Sequence, residues 1–185
     1  MVSYTKSFLR LNTFLYGRPM LGGLVAIYHS IIGGMAGALI RFGFVAAVAG
    51  TTVGVITVGL DGIAAKQLGE SWTAAPPDEK ATALRLVLAE ETINYPFASL
   101  FNILFAGVTF ILYGLAVALS QAYPRSLGWV AVVAGLGSVV AGLIQAFVGE
   151  PTLISRILTI IMPTIITLWL LLIGILLARK GARLA

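Results

Sequence analysis

Apolar residues fill long stretches of this chain, and polar residues gather at the turns between them. Pro96 to Ser120 and Val130 to Val148 are almost wholly apolar. Each is about as long as a helix must be to cross a bilayer, which takes about 20 residues. Between them lies Gln121-Ala122-Tyr123-Pro124-Arg125-Ser126-Leu127-Gly128-Trp129. Pro124 stops a helix, because it lacks an N–H and clashes with the preceding turn. Arg125 is a charge that lipid rejects, and Tyr123 and Trp129 are rings suited to headgroup depth. The stretch reads as a tight turn at a membrane surface.

A further span runs from Leu153 to Ala178, after the short turn Gly149-Glu150-Pro151-Thr152. Pro163 lies inside it and should kink it by freeing the carbonyl near Thr159. The first half is harder to divide. Leu21 to Leu60 is nearly all apolar, interrupted by His29, Ser30 and Arg41. One straight helix of that length would measure about 60 Å, twice the hydrocarbon core. Either it holds two spans, or an interfacial or partly inserted lead-in breaks at Gly33-Gly34 and one span begins at about Met35.

Charge decides between them. With four spans, Lys6, Arg10, Arg18, Arg41, Arg125, Arg179, Lys180 and Arg183 share one side, against Lys66, Lys80, Arg85 and Arg156. That imbalance agrees with the positive-inside rule, and a fifth span would weaken it. The expected fold class is all-α, an integral membrane four-helix bundle occupying residues 35–185. Residues 1–34 are an N-terminal amphipathic, interfacial segment, with a fifth span as the alternative. Phe8, Leu11 and Leu15 share one face of that segment, beside Lys6 and Arg10. Both termini are expected on the cytoplasmic side of a bacterial inner membrane.

Asp61 to Tyr95 is the one long polar segment, with six acids against three bases. It should form a short interfacial helix around Trp72, a loop, and a second helix from Pro76-Pro77-Asp78-Glu79. Prolines tolerate the first turn, and acids suit its positive dipole end. Ala81, Leu84, Leu88 and Glu91 recur at helical spacing, and the Leu84/Leu88 face is expected to dock on the bundle or on a partner. Asn94-Tyr95-Pro96 should break or kink the chain before the next span.

Composition narrows the chemistry. Of 185 residues 59% are hydrophobic and 10% charged, with mean hydropathy +1.00. Soluble domains carry roughly 25% charged residues, so this chain could not clothe a water-facing surface. The net charge of +5 reflects basic membrane flanks, and no nucleic-acid partner is expected. There is no cysteine, which excludes disulfides and thiolate sites within the chain. No P-loop, GxSxG or HExxH occurs, and an enzyme is not expected.

Some residues stand out against the apolar background. Ala46, Gly50 and Gly54 repeat every four positions, as do Ala134, Ser138 and Gly142. Such stripes let helix backbones approach, which drives association where lipid offers no hydrophobic gain. A ligand-lining face is the alternative. Asn102 and Gln145 are deep amides that each require a partner on a neighbouring helix, as interhelical glue or as the polar spot of a small cavity. The sole histidine, His29, is read as packed or interfacial. Its sharper reading is an axial ligand for a haem or chlorophyll-type pigment. No cofactor or metal is otherwise expected. Asp61 and Glu150 sit at span ends, and no acid falls inside a span, which weighs against proton-coupled transport.

Leu60-Asp61-Gly62-Ile63-Ala64 through Trp72, Glu79-Lys80-Ala81, Tyr113-Gly114-Leu115-Ala116-Val117, Tyr123-Pro124-Arg125-Ser126-Leu127-Gly128-Trp129 and Val133-Ala134-Gly135-Leu136 carry a resemblance. Over roughly residues 43–185 the chain resembles a family of uncharacterised bacterial multi-pass membrane proteins, of the domain-of-unknown-function kind. The resemblance implies a multi-pass helical fold with additional N-terminal spans, and transfers no catalytic or binding residue. The expected function is an accessory or structural subunit of a larger bacterial membrane complex, with membrane lipids and other membrane subunits as partners. The alternative is a membrane carrier of a small ligand, a lipid, a pigment or haem.

Overall fold

The computed structural model describes residues 20–148 and 152–181. The basic amphipathic helix expected over residues 1–20 therefore lies almost wholly outside the described residues, as do Glu150 and the chain end after Gly181. Among the described residues every regular element is helical. They are α1 (Met20–Ser30), α2 (Gly34–Ala74), α3 (Lys80–Leu119), α4 (Arg125–Val148) and α5 (Leu153–Gly181). The last four are each long and apolar enough to cross a membrane, and they form a helical bundle.

Gly33 and Gly34 separate α1 from α2 at φ +83° and +58°. Side chains with a Cβ rarely adopt that left-handed conformation, so glycine there permits the sharp reversal. The described part of α1 has 11 residues, about 16 Å at 1.5 Å per residue. It does not lie on the outside of the bundle. Leu24 and Ile27 are fully buried, and the Tyr113 hydroxyl donates to the Leu24 carbonyl at 3.1 Å. Ser30, at the other end of α1, shares a 2.6 Å hydrogen bond with Tyr123 in the turn after α3. α1 thus runs alongside α3 in the same direction.

α2 and α3 are antiparallel, and glycines of α2 receive the Tyr113 and Phe101 rings and the backbone of Phe105. A Cβ on Gly43, Gly50 or Gly54 would lie 2.7 Å from Tyr113, Phe105 and Phe101 respectively. α3 and α4 approach closer still, backbone on backbone. Gly107 and Gly114 of α3 face a seven-residue repeat in α4, Gly128, Gly135 and Gly142. A Cβ on Gly135 would fall 2.8 Å from the Gly107 carbonyl, and one on Gly114 would fall 2.6 Å from that of Gly128. In lipid such contact gains dispersion, the main drive available. α5 closes the bundle through Trp169, which stacks edge-on against Phe110 and donates its indole N–H to the Leu127 carbonyl at 2.7 Å.

Both Pro96 and Pro163 lie inside continuous helix. The break expected at Asn94-Tyr95-Pro96 is not a break, since α3 runs through it. Over residues 61–95 the helix expected around Trp72, the loop after it and the helix expected from Pro76-Pro77-Asp78-Glu79 are all present, but the first is the end of α2 and not a separate short helix. α2 continues to Ala74, and only residues 75–79 connect it to α3. The two helices project together beyond the apolar stretches as a hairpin arm of about 20 Å. Lys80 holds its tip, donating to the carbonyls of Trp72 and Thr73 at 2.8 and 2.9 Å, with its ammonium over the Trp72 ring.

The face expected to dock is not the one that does so within the chain. Lys80, Ala83, Val87, Glu90 and Asn94, spaced three and four apart, are the less exposed face, whereas Ala81, Leu84, Leu88 and Glu91 are exposed. The helical period holds and the face is reversed, because the arm's packing partner is the extension of α2.

Candidate functional site

Two helical irregularities position the polar groups. α2 widens into a π-helical turn over Gly59–Ala64, and α3 does so over Asn102–Thr109. The Thr109 hydroxyl donates five residues back, to the Leu104 carbonyl at 2.9 Å. A π-turn changes the angular register between the helix before it and the helix after it, and such turns gather at functional positions. Here it sets Asn102 against α4. The Asn102 amide donates to Gln145 Oε1 at 2.9 Å, and Gln145 Nε2 reaches Thr159 Oγ1 of α5 at 3.5 Å. One polar chain therefore links three spans.

Beside it opens a cleft of about 640 Å³, flanked by α3, the end of α4 and the start of α5. That volume falls within the 300–1,000 Å³ range of small-molecule sites. One ridge of α3 lines it: Glu91, Tyr95, Ser99 and Ile103, each four residues after the last. Gln145 forms part of the floor, and Arg156 of α5 stands on the wall. Ser99 is 2% exposed, and its hydroxyl has no hydrogen-bond partner. Arg156 and Glu91 form no ion pair, with each other or with any other described residue.

A second polar group lies between the two helices of the arm. Glu90 is only 8% exposed, and one of its carboxyl oxygens is buried without a partner, as is the Asn94 side-chain oxygen one turn on. Burial pushes the Glu90 carboxyl above its ordinary range, and the negative charges of Asp61 and Glu91 add to the shift. Asp61 itself is exposed, in the π-turn of α2.

The remaining residues singled out from sequence fall elsewhere in the bundle. Ala134, Ser138 and Gly142 are all buried in α4, and Ala46, Gly50 and Gly54 lie along the α2 face that meets α3. His29 is exposed, with its ring edge-on to Tyr28. It borders a hollow of about 90 Å³, well below the range of cofactor sites. Among the described residues no three His, Cys, Asp or Glu side chains come together at metal-binding distance.

Sequence reading missed Arg156, Glu91, Tyr95 and Ser99 as a group. Their signal is present as an i, i+4 ridge on α3, but Pro96, read as a boundary, cuts that ridge in two. Comparison with family models, with curated proteins and with solved structures gives no match to this chain.

Proposed function

We propose that this protein is a non-catalytic integral membrane subunit with an accessory or structural role in a larger bacterial membrane assembly. The hairpin arm carries the proposal. Residues 61–95 hold nine charged side chains, too many for hydrocarbon, since each costs about 2.5–3.5 kcal/mol at the bilayer centre. The arm therefore stands in water or against another protein. Yet Ile63, Leu86 and Ile93 are 54–55% exposed on it, and Trp72 and Leu84 are exposed as well. Trp72, Leu84 and Leu86 stand beyond the headgroup level marked by Tyr95, where lipid does not cover them, and exposed apolar area there suits a protein contact surface. The exposed acids of the arm, Glu70, Asp78 and Glu79 among them, favour a partner with a basic rim.

The test is purification from native membranes in mild detergent. A second membrane protein should co-purify in fixed stoichiometry, and the double substitution Leu86→Glu with Ile93→Glu should release it. A monodisperse, partner-free monomer would overturn the proposal. A second reading, a membrane carrier of a small ligand or lipid, is favoured by the cleft beside Gln145 and Arg156.

A further inference from the structure

The cleft beside α3 has an ordered polarity that a single class of ligand matches. Along the ridge come a carboxylate (Glu91), a phenol (Tyr95), a buried hydroxyl (Ser99) and an aliphatic chain (Ile103). The four span 13 residues, about 18 Å of helix. Charge is thus at the arm end and hydrocarbon at the membrane end, with Tyr95 at the junction, where amphipathic rings prefer to sit. Leu100, itself exposed, lines the same wall, and Arg156 faces the ridge from α5.

The two charges bordering the cleft are opposite in sign, yet they do not pair with each other. An anion alone would satisfy Arg156 and be repelled by Glu91. A cation alone would do the reverse. A molecule carrying both charges satisfies both. The buried Ser99 hydroxyl adds an independent sign of a ligand, because a polar atom enclosed without a partner is a cost to the fold. A group that accepts its proton, such as an ester carbonyl just below a phosphate, would remove that cost.

We infer that the cleft binds one phospholipid with a zwitterionic headgroup bearing a primary ammonium. Its phosphodiester meets Arg156, its ammonium meets Glu91, its ester region meets Ser99, and an acyl chain lies along Leu100 and Ile103. The inference rests on the chain spanning a membrane and does not require a protein partner. The two can therefore fail separately, since lipid retention is read on the isolated protein.

The test uses the full chain, delipidated in detergent and supplied in turn with five probes. They are dioleoyl phosphatidylethanolamine, dioleoyl phosphatidylcholine, dioleoyl phosphatidylglycerol, glycerophosphoethanolamine and inorganic phosphate. Retained molecules are counted by native mass spectrometry. Phosphatidylethanolamine should be retained at one per chain, about tenfold over the others, the ratio expected from one charge-assisted contact. Arg156→Gln should lower its retention by about tenfold. Glu91→Gln should abolish the preference over phosphatidylglycerol. Ser99→Ala should weaken retention while raising lipid-free thermal stability, because the enclosed hydroxyl without a partner is gone. Lys66→Gln, exposed on the arm, should change nothing. Equal retention of the three lipids by the unmodified protein overturns the inference, whatever the variants do. Binding of glycerophosphoethanolamine or phosphate as tight as that of the lipid also overturns it, because the site would then read a soluble anion and not a lipid.

Discussion

The Asn102 side-chain amide donates to the Gln145 carbonyl oxygen at 2.9 Å, tying α3 to α4 across 43 residues of sequence. Asn102 is buried and Gln145 half-buried. Within a bundle, such a bond contributes about 0.6–1.7 kcal/mol. Asn102→Leu and Gln145→Leu should each destabilise the protein in detergent-titrated unfolding. The double variant should cost less than the sum of the two, by a coupling of about that size. Strict additivity would mean that the two amides do not depend on one another.

The glycine contact between α3 and α4 allows a sharper test. A Cβ on Gly128 would meet the backbone of Ala118 and the Gly114 carbonyl, atoms that cannot swing away. Gly128→Ala and Gly135→Ala should each cost about 1–3 kcal/mol or more. Gly50→Leu should separate α2 from Phe105 and disrupt the bundle. A Cβ on Gly22 has nothing within 4 Å, so Gly22→Ala is the control and should not destabilise the protein, alanine being the better helix former. Wild-type stability in Gly128→Ala would show that the two helices stand farther apart than a backbone contact allows.

Glu90 gives a pH dependence whose sign is set by its burial. Its carboxyl is raised above the ordinary 4.5, so the folded state holds the proton more tightly than the unfolded chain does. Below pH 4.5 both states are protonated, and the group subtracts nothing. As pH rises from there to the raised pKa, the unfolded chain loses its proton first and stability falls. Glu90→Gln should therefore gain stability relative to the unmodified protein as pH increases through that window. Thermal unfolding across a pH series reads it directly, and parallel curves for the two proteins would rule it out.

Orientation is open to reporter fusions. The turn at Tyr123–Arg125 and the Gly181 end of α5 lie at one end of the bundle, and the arm tip lies at the other. Fusions after Ser126 and Ala185 should both report the cytoplasm, and a fusion after Pro77 should report the outside, as the distribution of Lys and Arg requires. Opposite signals at Ser126 and Ala185 would be incompatible with four spans.

Periodicity and charge in the sequence determined the helical class, the four long apolar helices, and the turn at Pro124. Each comes from local chemistry: a run of apolar residues fixes a span, and a proline beside an arginine fixes its end. The same chemistry marked Asn102, Gln145 and the α2 glycines as contact residues, because an amide or a missing side chain in lipid needs a neighbour wherever that neighbour sits. Which neighbour it was, only the tertiary structure decided. The pairing of Asn102 with Gln145 depends on a π-turn that no residue type announces. The arm depends on α3 continuing through Pro96, a residue that in isolation reads as a stop. Its lost hydrogen bond is a local cost of one group, and packing against α2 and α4 on both sides of it holds the helix together. With α3 continuous, Glu91, Tyr95, Ser99 and Ile103 fall on one ridge, and Arg156 is brought opposite them from 53 residues beyond Ile103.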